Sequence, residues 1–225
     1  MAYISYQMSD FEMWAVTLSA PCYLRKPASM ELVTGLGRFS FNKRRICQEL
    51  TAAYGSGIVR ARPKRKYDVE LYFYQRILGD SCVSQYNEMR MHLLSAPEGP
   101  DAYICSISDP RLKSKTALAA KTLFLLPHTG IRAFPIARAI YFIRCCVLLG
   151  SEHPYSAMTK IMEIARYAQT LYSSWEEFFT AYAIGEQFVS ETPDAALTDD
   201  RLNELRQLTI SPQSAARYFP WHMRL

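Results

Sequence analysis

Apolar residues recur three and four positions apart along most of the chain, which predicts helices rather than strands. The pattern is clearest in the last third, where it predicts three helices at about 133–149, 156–172 and 175–189. A further helix is expected to begin with Thr198 as its N-cap, and a short last one at Ser211 and Pro212. We therefore expect one compact all-α domain of about eight to ten helices, with little or no sheet.

The starts and ends of helices are less clearly marked in the first two thirds of the chain. Ser9, followed by Asp10 and Glu12, predicts the N-cap of a first helix that Pro21 ends. The segment 67–77 fits either a strand or a helix, and we favour a helix because helical spacing continues after it, from Asp80 or Ser81.

Loop and helix signals then alternate before the last third. Residues 95–108 are rich in turn formers and predict a loop followed by a short extended piece. Asp109 and Pro110 predict the start of a helix that runs to Pro127. No shift in composition marks a linker, so we expect a single domain over 1–225, with a loop near 58–66 as the one candidate boundary.

Composition and charge narrow the class of protein. The 225 residues are 49% apolar and 13% aromatic, which excludes a disordered chain, and the net charge of +5 permits an acidic partner without requiring one. No basic, apolar signal segment opens the sequence, and Arg138 and Arg144 interrupt its most apolar stretch, so no membrane span is expected. The six cysteines form no CxxC pair, which favours reduced thiols and a cytoplasmic location.

The motifs of common catalytic and cofactor sites are missing from the sequence. None of the four histidines lies within metal-ligand spacing of another histidine or a cysteine, so no metal site is predicted. No GxSxG motif is present, and the glycine pairs lack the context of a phosphate loop, so no cofactor is predicted either.

A basic segment around Pro63 is a candidate binding loop. Five of its seven residues are cationic: Arg60, Arg62, Lys64, Arg65 and Lys66. Proline excludes a continuous helix there. A solvated loop or a contact with an acidic protein partner is favoured over nucleic acid, because strong nucleic-acid binders carry a larger excess of positive charge.

An ion pair is predicted inside the helical domain. Arg138 lies on an apolar helix and needs a carboxylate if it faces the core. Glu186 is eleven residues after Trp175, which is about three helical turns, so it is predicted to point inward and pair with Arg138. A catalytic role for this pair is the alternative hypothesis.

The start of the helix at Trp175 has the spacing of a capping box. Ser174 and Glu177 are three residues apart, so the serine oxygen is predicted to accept from the Glu177 amide while the Glu177 carboxylate accepts from the Ser174 amide. Gly185, near the end of the same helix, is predicted to allow close approach of another helix.

The region 133–188 resembles a bacterial family of uncharacterised helical domains, which has an Ala-Trp-Asp-x-x-x-Arg-like helix, a glycine turn and a Ser-Trp-Glu-Glu helix. The matching residues are Ala133, Arg138, Gly150, Ser174, Trp175, Glu176, Glu177, Tyr182 and Gly185. The chain departs from the pattern at Phe134, where the family has Trp, at Pro135, where it has an acid, and at Glu186, where it commonly has Arg. The resemblance implies a helical fold but no activity, and the missing acid counts against an enzyme.

Three functions are carried forward as hypotheses. The first is a cytoplasmic protein-interaction protein of the immunity type, which binds and neutralises a bacterial toxin. The alternative is an enzyme of unknown class whose site combines Arg138, Glu176, Glu177 and Glu186. The weakest is nucleic-acid binding through the basic loop at 60–66.

Overall fold

The secondary structure is entirely helical in the residues that the computed structural model describes, which are 9–22, 81–148, 152–190, 195–210 and 214–224. These residues form nine α-helices, one 3-10 turn and no strand. The helices are α1 (Asp10–Thr17), α2 (Ser81–Ser95), α3 (Pro100–Ser106), α4 (Pro110–Lys121), α5 (Ala133–Leu148), α6 (Pro154–Leu171), α7 (Trp175–Phe188), α8 (Ala195–Ile210) and α9 (Ala215–Tyr218), with the 3-10 turn η1 at Ala20–Cys22. The predicted all-α class is confirmed.

Two helices begin where local capping chemistry predicts. The Ser9 hydroxyl accepts from the Glu12 amide, and the Glu12 carboxylate accepts from the Ser9 amide at 2.8 Å, which is a complete capping box for α1. Asp109 caps α4 by accepting from the backbone amides of Arg111 and Leu112. Pro110 follows at the first helical position, where a missing N–H is tolerated.

Three predicted boundaries are wrong. Residues 100–106 form helix α3 rather than an extended piece, and α4 ends at Lys121 instead of running to Pro127. Helix α8 begins at Ala195, so Thr198 lies inside the helix and is not its N-cap. The predicted helix start at Ser211 and Pro212 lies outside the described residues, as does the segment 67–77.

The core forms around α7, which packs against α5 on one side and α8 on another, while α6 packs on α5 and α1. Helix α2 packs on α4 and reaches α7. Buried apolar residues from Trp14 to Trp221 form one cluster. The single domain predicted over 1–225 stays a prediction. No described helix has both the length and the apolar character that crossing a membrane requires.

Gly185 lets α7 and α5 approach closely, as predicted. A Cβ at this position would lie 2.5 Å from the Phe134 Cβ and 3.2 Å from the Ile131 carbonyl oxygen. Atoms at the first of these distances overlap, so only glycine fits between the two helices without a shift of the backbone.

The carboxyl-terminal segment is fastened to the core by three tryptophans. The Trp221 ring lies 5.1 Å from Trp14 and 5.0 Å from Trp175, measured between centroids. Each indole N–H donates to a backbone carbonyl: Trp14 to Pro220, Trp175 to Phe219 and Trp221 to Tyr172. These bonds satisfy the indole donors inside an apolar cluster, and they join α1, α7 and the last residues of the chain.

Candidate functional site

The acidic residues of the enzyme hypothesis lie at opposite ends of α7. Glu176 and Glu177 are in its first turn, and Glu186 is in its last. Ten residues of α-helix separate Glu176 from Glu186, a distance of about 15 Å along the axis. The structure therefore does not bring the three carboxylates together, and a site that combines them with Arg138 has no geometric support.

The carboxylate of Glu177 is used in capping α7. The Ser174 hydroxyl accepts from the Glu177 amide at 3.1 Å, as predicted. The returning bond differs from the prediction, because the Glu177 carboxylate accepts from the amide and the hydroxyl of Ser173, one residue before Ser174. Both contacts hold the chain before α7 in position, so the carboxylate of Glu177 stabilises the start of this helix. The Glu176 side chain is exposed.

Glu186 pairs with Arg201 of α8. Arg201 Nε donates to the Glu186 carboxylate at 2.7 Å, its Nη1 to Glu204 at 2.7 Å and its Nη2 to the Pro21 carbonyl at 2.8 Å. The Arg201 side chain is only 4% exposed, so these bonds replace water around a buried charge. We name Arg201, Glu186, Tyr182 and Cys22 the Glu186 cluster.

Sequence reasoning missed Arg201. A signal was present, because Arg201, Leu205 and Leu208 are spaced four and three residues apart, which places this cation on the buried face of α8. An arginine in that stripe needs an acid on a neighbouring helix.

The predicted pair between Arg138 and Glu186 stays a prediction. The Arg138 guanidinium lies over the Phe134 ring, with Cζ 5.2 Å from the ring centroid. The charges of Arg138 and Glu186 both act on the Cys22 thiol, so both belong to the surroundings of the Glu186 cluster. Arg144, the other arginine of α5, is buried and donates to the Ser19 hydroxyl at 2.8 Å.

The protonation chemistry of the Glu186 cluster favours a structural role. Burial raises the pKa of the Cys22 thiol to about 12, and burial with the nearby Cys22 and Glu186 also raises the pKa of Tyr182 well above its usual value. The Tyr182 hydroxyl lies 3.7 Å from the Cys22 sulfur. Both groups stay protonated at neutral pH, so neither is an activated nucleophile or a general base there.

The described residues add no support for a metal site or for nucleic-acid binding. Within the described ranges, no three His, Cys, Asp or Glu side chains are grouped to hold a metal ion. The basic residues Arg60, Arg62, Lys64, Arg65 and Lys66 lie outside the described residues, so their role as a binding loop stays a prediction.

A different feature stands out on the surface, where four large apolar side chains are exposed on α2 and the turn after α4. We name them the apolar edge: Phe124 (87% exposed), Met91 (65%), Leu94 (57%) and Leu125 (57%). Solvation of large apolar side chains is unfavourable, so a group of them in a surface is typical of a contact site.

Arg90 bonds α2 to the turn after α4. Its guanidinium donates to the carbonyls of Leu123, Leu126 and Pro127, at 3.0, 3.2 and 2.7 Å. Leu94 is four residues after Arg90 and so follows it on one stripe of α2, whereas Met91 is one residue after Arg90 and lies about 100° around the helix. The turn is thus held rigidly, with Phe124 and Leu125 directed outward.

The apolar edge was missed because apolar residues 123–126 extend the helical pattern of α4, which the sequence predicts to run to Pro127. The helix stops at Lys121 instead. The Thr122 hydroxyl bonds to Tyr86 of α2 at 2.8 Å, and the chain after it turns under Arg90. Both contacts come from another helix, so the spacing of apolar residues within α4 could not predict them.

Comparison with known proteins gives a family and no activity. No curated protein and no solved structure matches the chain. One protein family matches residues 64–221, which is more than two thirds of the chain and includes α2 to α9 and the whole of the region 133–188. Its description is "Protein of unknown function (DUF1266)". The expected membership of an uncharacterised family is therefore confirmed, and the chain belongs to the DUF1266 family.

Proposed function

We propose that this protein acts by binding another protein, and that the apolar edge is its binding surface. The observation that carries the proposal is the exposure of Phe124 and Leu125 on a turn that Arg90 holds in place. Because the backbone of this turn is already fixed, little backbone freedom is lost when an aromatic side chain on it enters a partner's pocket, and buried aromatic side chains often dominate binding energy.

The competing enzyme hypothesis is less well supported by the described residues. Glu177 is engaged at the start of α7, Glu186 is bonded to a buried arginine, and the nearby thiol and phenol stay protonated at neutral pH. Each of these polar groups has a structural partner, whereas every side chain of the apolar edge is more than half exposed.

At a finer level, we propose an immunity-type protein in the cytoplasm of a bacterium, which neutralises a toxin by occupying its surface. The support is indirect: a helical domain, no catalytic constellation in the described residues and a projecting contact surface. Co-expression with the product of the adjacent gene tests this level. Rescue of growth by the wild-type chain but not by a Phe124→Ser, Leu125→Ser variant supports it, and toxicity unaffected by the wild-type chain contradicts it.

Paired purification from the native cell tests the broader proposal. The wild-type chain should recover one protein in a one-to-one complex, and the Phe124→Ser, Leu125→Ser variant should lose it. Ile210→Ser is the matched control, because Ile210 is also an exposed apolar residue (59%) but lies at the end of α8. Equal recovery with all three chains would exclude the apolar edge as the binding surface.

A further inference from the structure

The turn after α4, residues 122–127, is held by hydrogen-bond donors of another helix. Backbone carbonyls outside a regular helix need partners where water is excluded, and a charged donor forms the stronger bonds. Leu123 and Leu126 are buried, and both of their carbonyls accept from Arg90 Nη2, at 3.0 and 3.2 Å. Arg90 Nη1 donates to the Pro127 carbonyl at 2.7 Å. One side chain of α2 therefore fixes three carbonyls of this turn.

These bonds lie on both sides of the exposed pair Phe124 and Leu125. Leu123 precedes Phe124 and Leu126 follows Leu125, so the two carbonyls that share Arg90 Nη2 flank the pair in the chain. The flanking leucines are each 6% exposed, whereas the two residues between them are exposed. A backbone rotation that turned Phe124 inward would therefore break bonds to Arg90 or expose a buried leucine.

Tyr86 holds the start of the same turn. It lies four residues before Arg90 on α2, and Arg90 Cζ is 5.9 Å from the centroid of its ring. A hydrogen bond of 2.8 Å joins the hydroxyls of Tyr86 and Thr122, and Thr122 is the first residue after α4. Helix α2 thus fixes the turn at its first residue through Tyr86 and at its last residue, Pro127, through Arg90.

We propose that Arg90 is a positioning residue for partner binding, which holds Phe124 and Leu125 in the conformation that enters the partner. This inference rests on the proposed protein-binding function and adds the residue that keeps the binding surface competent. Loss of the bonds to Arg90 would let the turn adopt several conformations, of which only a fraction can bind. The apparent dissociation constant then rises by the inverse of that fraction, although every side chain of the apolar edge is still present.

A double-mutant cycle between Arg90 and Phe124 tests the inference on the full chain. The probe is a peptide selected from a random library displayed on phage, for binding that Phe124→Ala weakens but does not abolish. Arg90→Lys keeps the charge but replaces two donor nitrogens by one, so it should raise the dissociation constant of the peptide at least about fivefold. In the Phe124→Ala background the same change should raise it less than about twofold, because the positioned side chain is missing. Fluorescence anisotropy of the labelled peptide measures all four constants.

Amide hydrogen exchange measures whether the turn itself has loosened. The amides of Leu123 and Leu125 donate to the carbonyls of Ala120 and Thr122, at 3.3 and 3.1 Å, so they are protected from exchange only while the turn is formed. Both amides should exchange faster in the Arg90→Lys variant, and the amides of α7 should exchange as in the wild-type chain.

Two control variants separate positioning from other effects. Arg166→Lys makes the same substitution at an exposed position of α6 and should leave peptide binding unchanged. Trp221→Phe removes a bond at the carboxyl-terminal segment, so it should lower stability while the affinity of the folded chain stays within about twofold of the wild type. Urea denaturation of each variant confirms that peptide binding is measured on folded protein.

The possible results separate the two proposals. Unchanged peptide binding in Arg90→Lys and in Arg90→Met, which removes every donor, overturns the positioning role and leaves the protein-binding function standing. An equal loss of binding with and without the Phe124 side chain also overturns it, because Arg90 would then act by its own contact with the peptide. Failure to select any peptide that depends on Phe124 counts against both proposals.

Discussion

At the scale of single residues, Arg201 shows how one buried side chain joins three parts of the chain. It bonds to Glu186 of α7, to Glu204 of its own helix and to the Pro21 carbonyl of η1. The two carboxylates differ in their surroundings, since the Glu186 side chain is 21% exposed and that of Glu204 is 57% exposed. The better buried pair is expected to contribute more to stability.

Replacing Glu186 with Gln should lower the free energy of unfolding by about 1–3 kcal/mol, because the buried guanidinium loses the better buried of its two charged partners. Urea denaturation followed by circular dichroism measures this. Glu204→Gln removes a carboxylate from the same guanidinium at an exposed site and should cost less than about 1 kcal/mol. Equal effects of the two substitutions would contradict the structural role assigned to Glu186.

At the scale of helices, the sequence predicted those helix starts and helices that depend on residues close together in the chain. The side chains of Ser9, Asp109 and Ser174 each accept from a backbone amide two or three residues later, and the spacing of apolar residues predicted α5, α6 and α7. The end of α4 and the partner of Glu186 depend on Tyr86, Arg90 and Arg201, which are distant in sequence. Only tertiary packing brings such groups together, so no window of sequence could supply them.

Close packing of α5 and α7 leads to a prediction at Gly185. Alanine is the better helix former by about 1 kcal/mol, so Gly185→Ala would stabilise a helix with free space around this position. Because the added Cβ would lie 2.5 Å from the Phe134 Cβ, we expect a net loss of about 1–3 kcal/mol instead. Thermal unfolding measures the sign, and Ala117→Gly at an exposed position of α4 calibrates helix propensity alone.

At the scale of the whole molecule, two regions have different roles. The tryptophan cluster fastens the carboxyl-terminal segment to α1 and α7, which makes the described helices one packed body. The apolar edge lies on α2 and the turn after α4, where Phe124 contributes almost nothing to the core because it is 87% exposed. Stability and the proposed binding are therefore carried by different residues and can be separated by mutation.

Trp221→Phe should destabilise the whole fold by about 2–4 kcal/mol, since it removes the bond to the Tyr172 carbonyl and leaves a cavity beside Trp14 and Trp175. Unfolding of both chains can be followed by tryptophan fluorescence and by far-ultraviolet circular dichroism. For the wild-type chain the two signals should give the same unfolding midpoint if the described helices unfold cooperatively. His222→Ala, at the exposed next residue, should stay within about 0.5 kcal/mol of the wild type.

Photo-crosslinking from position 124 in the native cell tests the central claim most directly. A benzophenone amino acid in place of Phe124 should form one discrete covalent adduct with a single protein, because the side chain is predicted to enter that protein's pocket. The same probe at Ile210, which is also exposed, should not form this adduct. No adduct from position 124, or the same set of adducts from both positions, would contradict a binding role for the apolar edge.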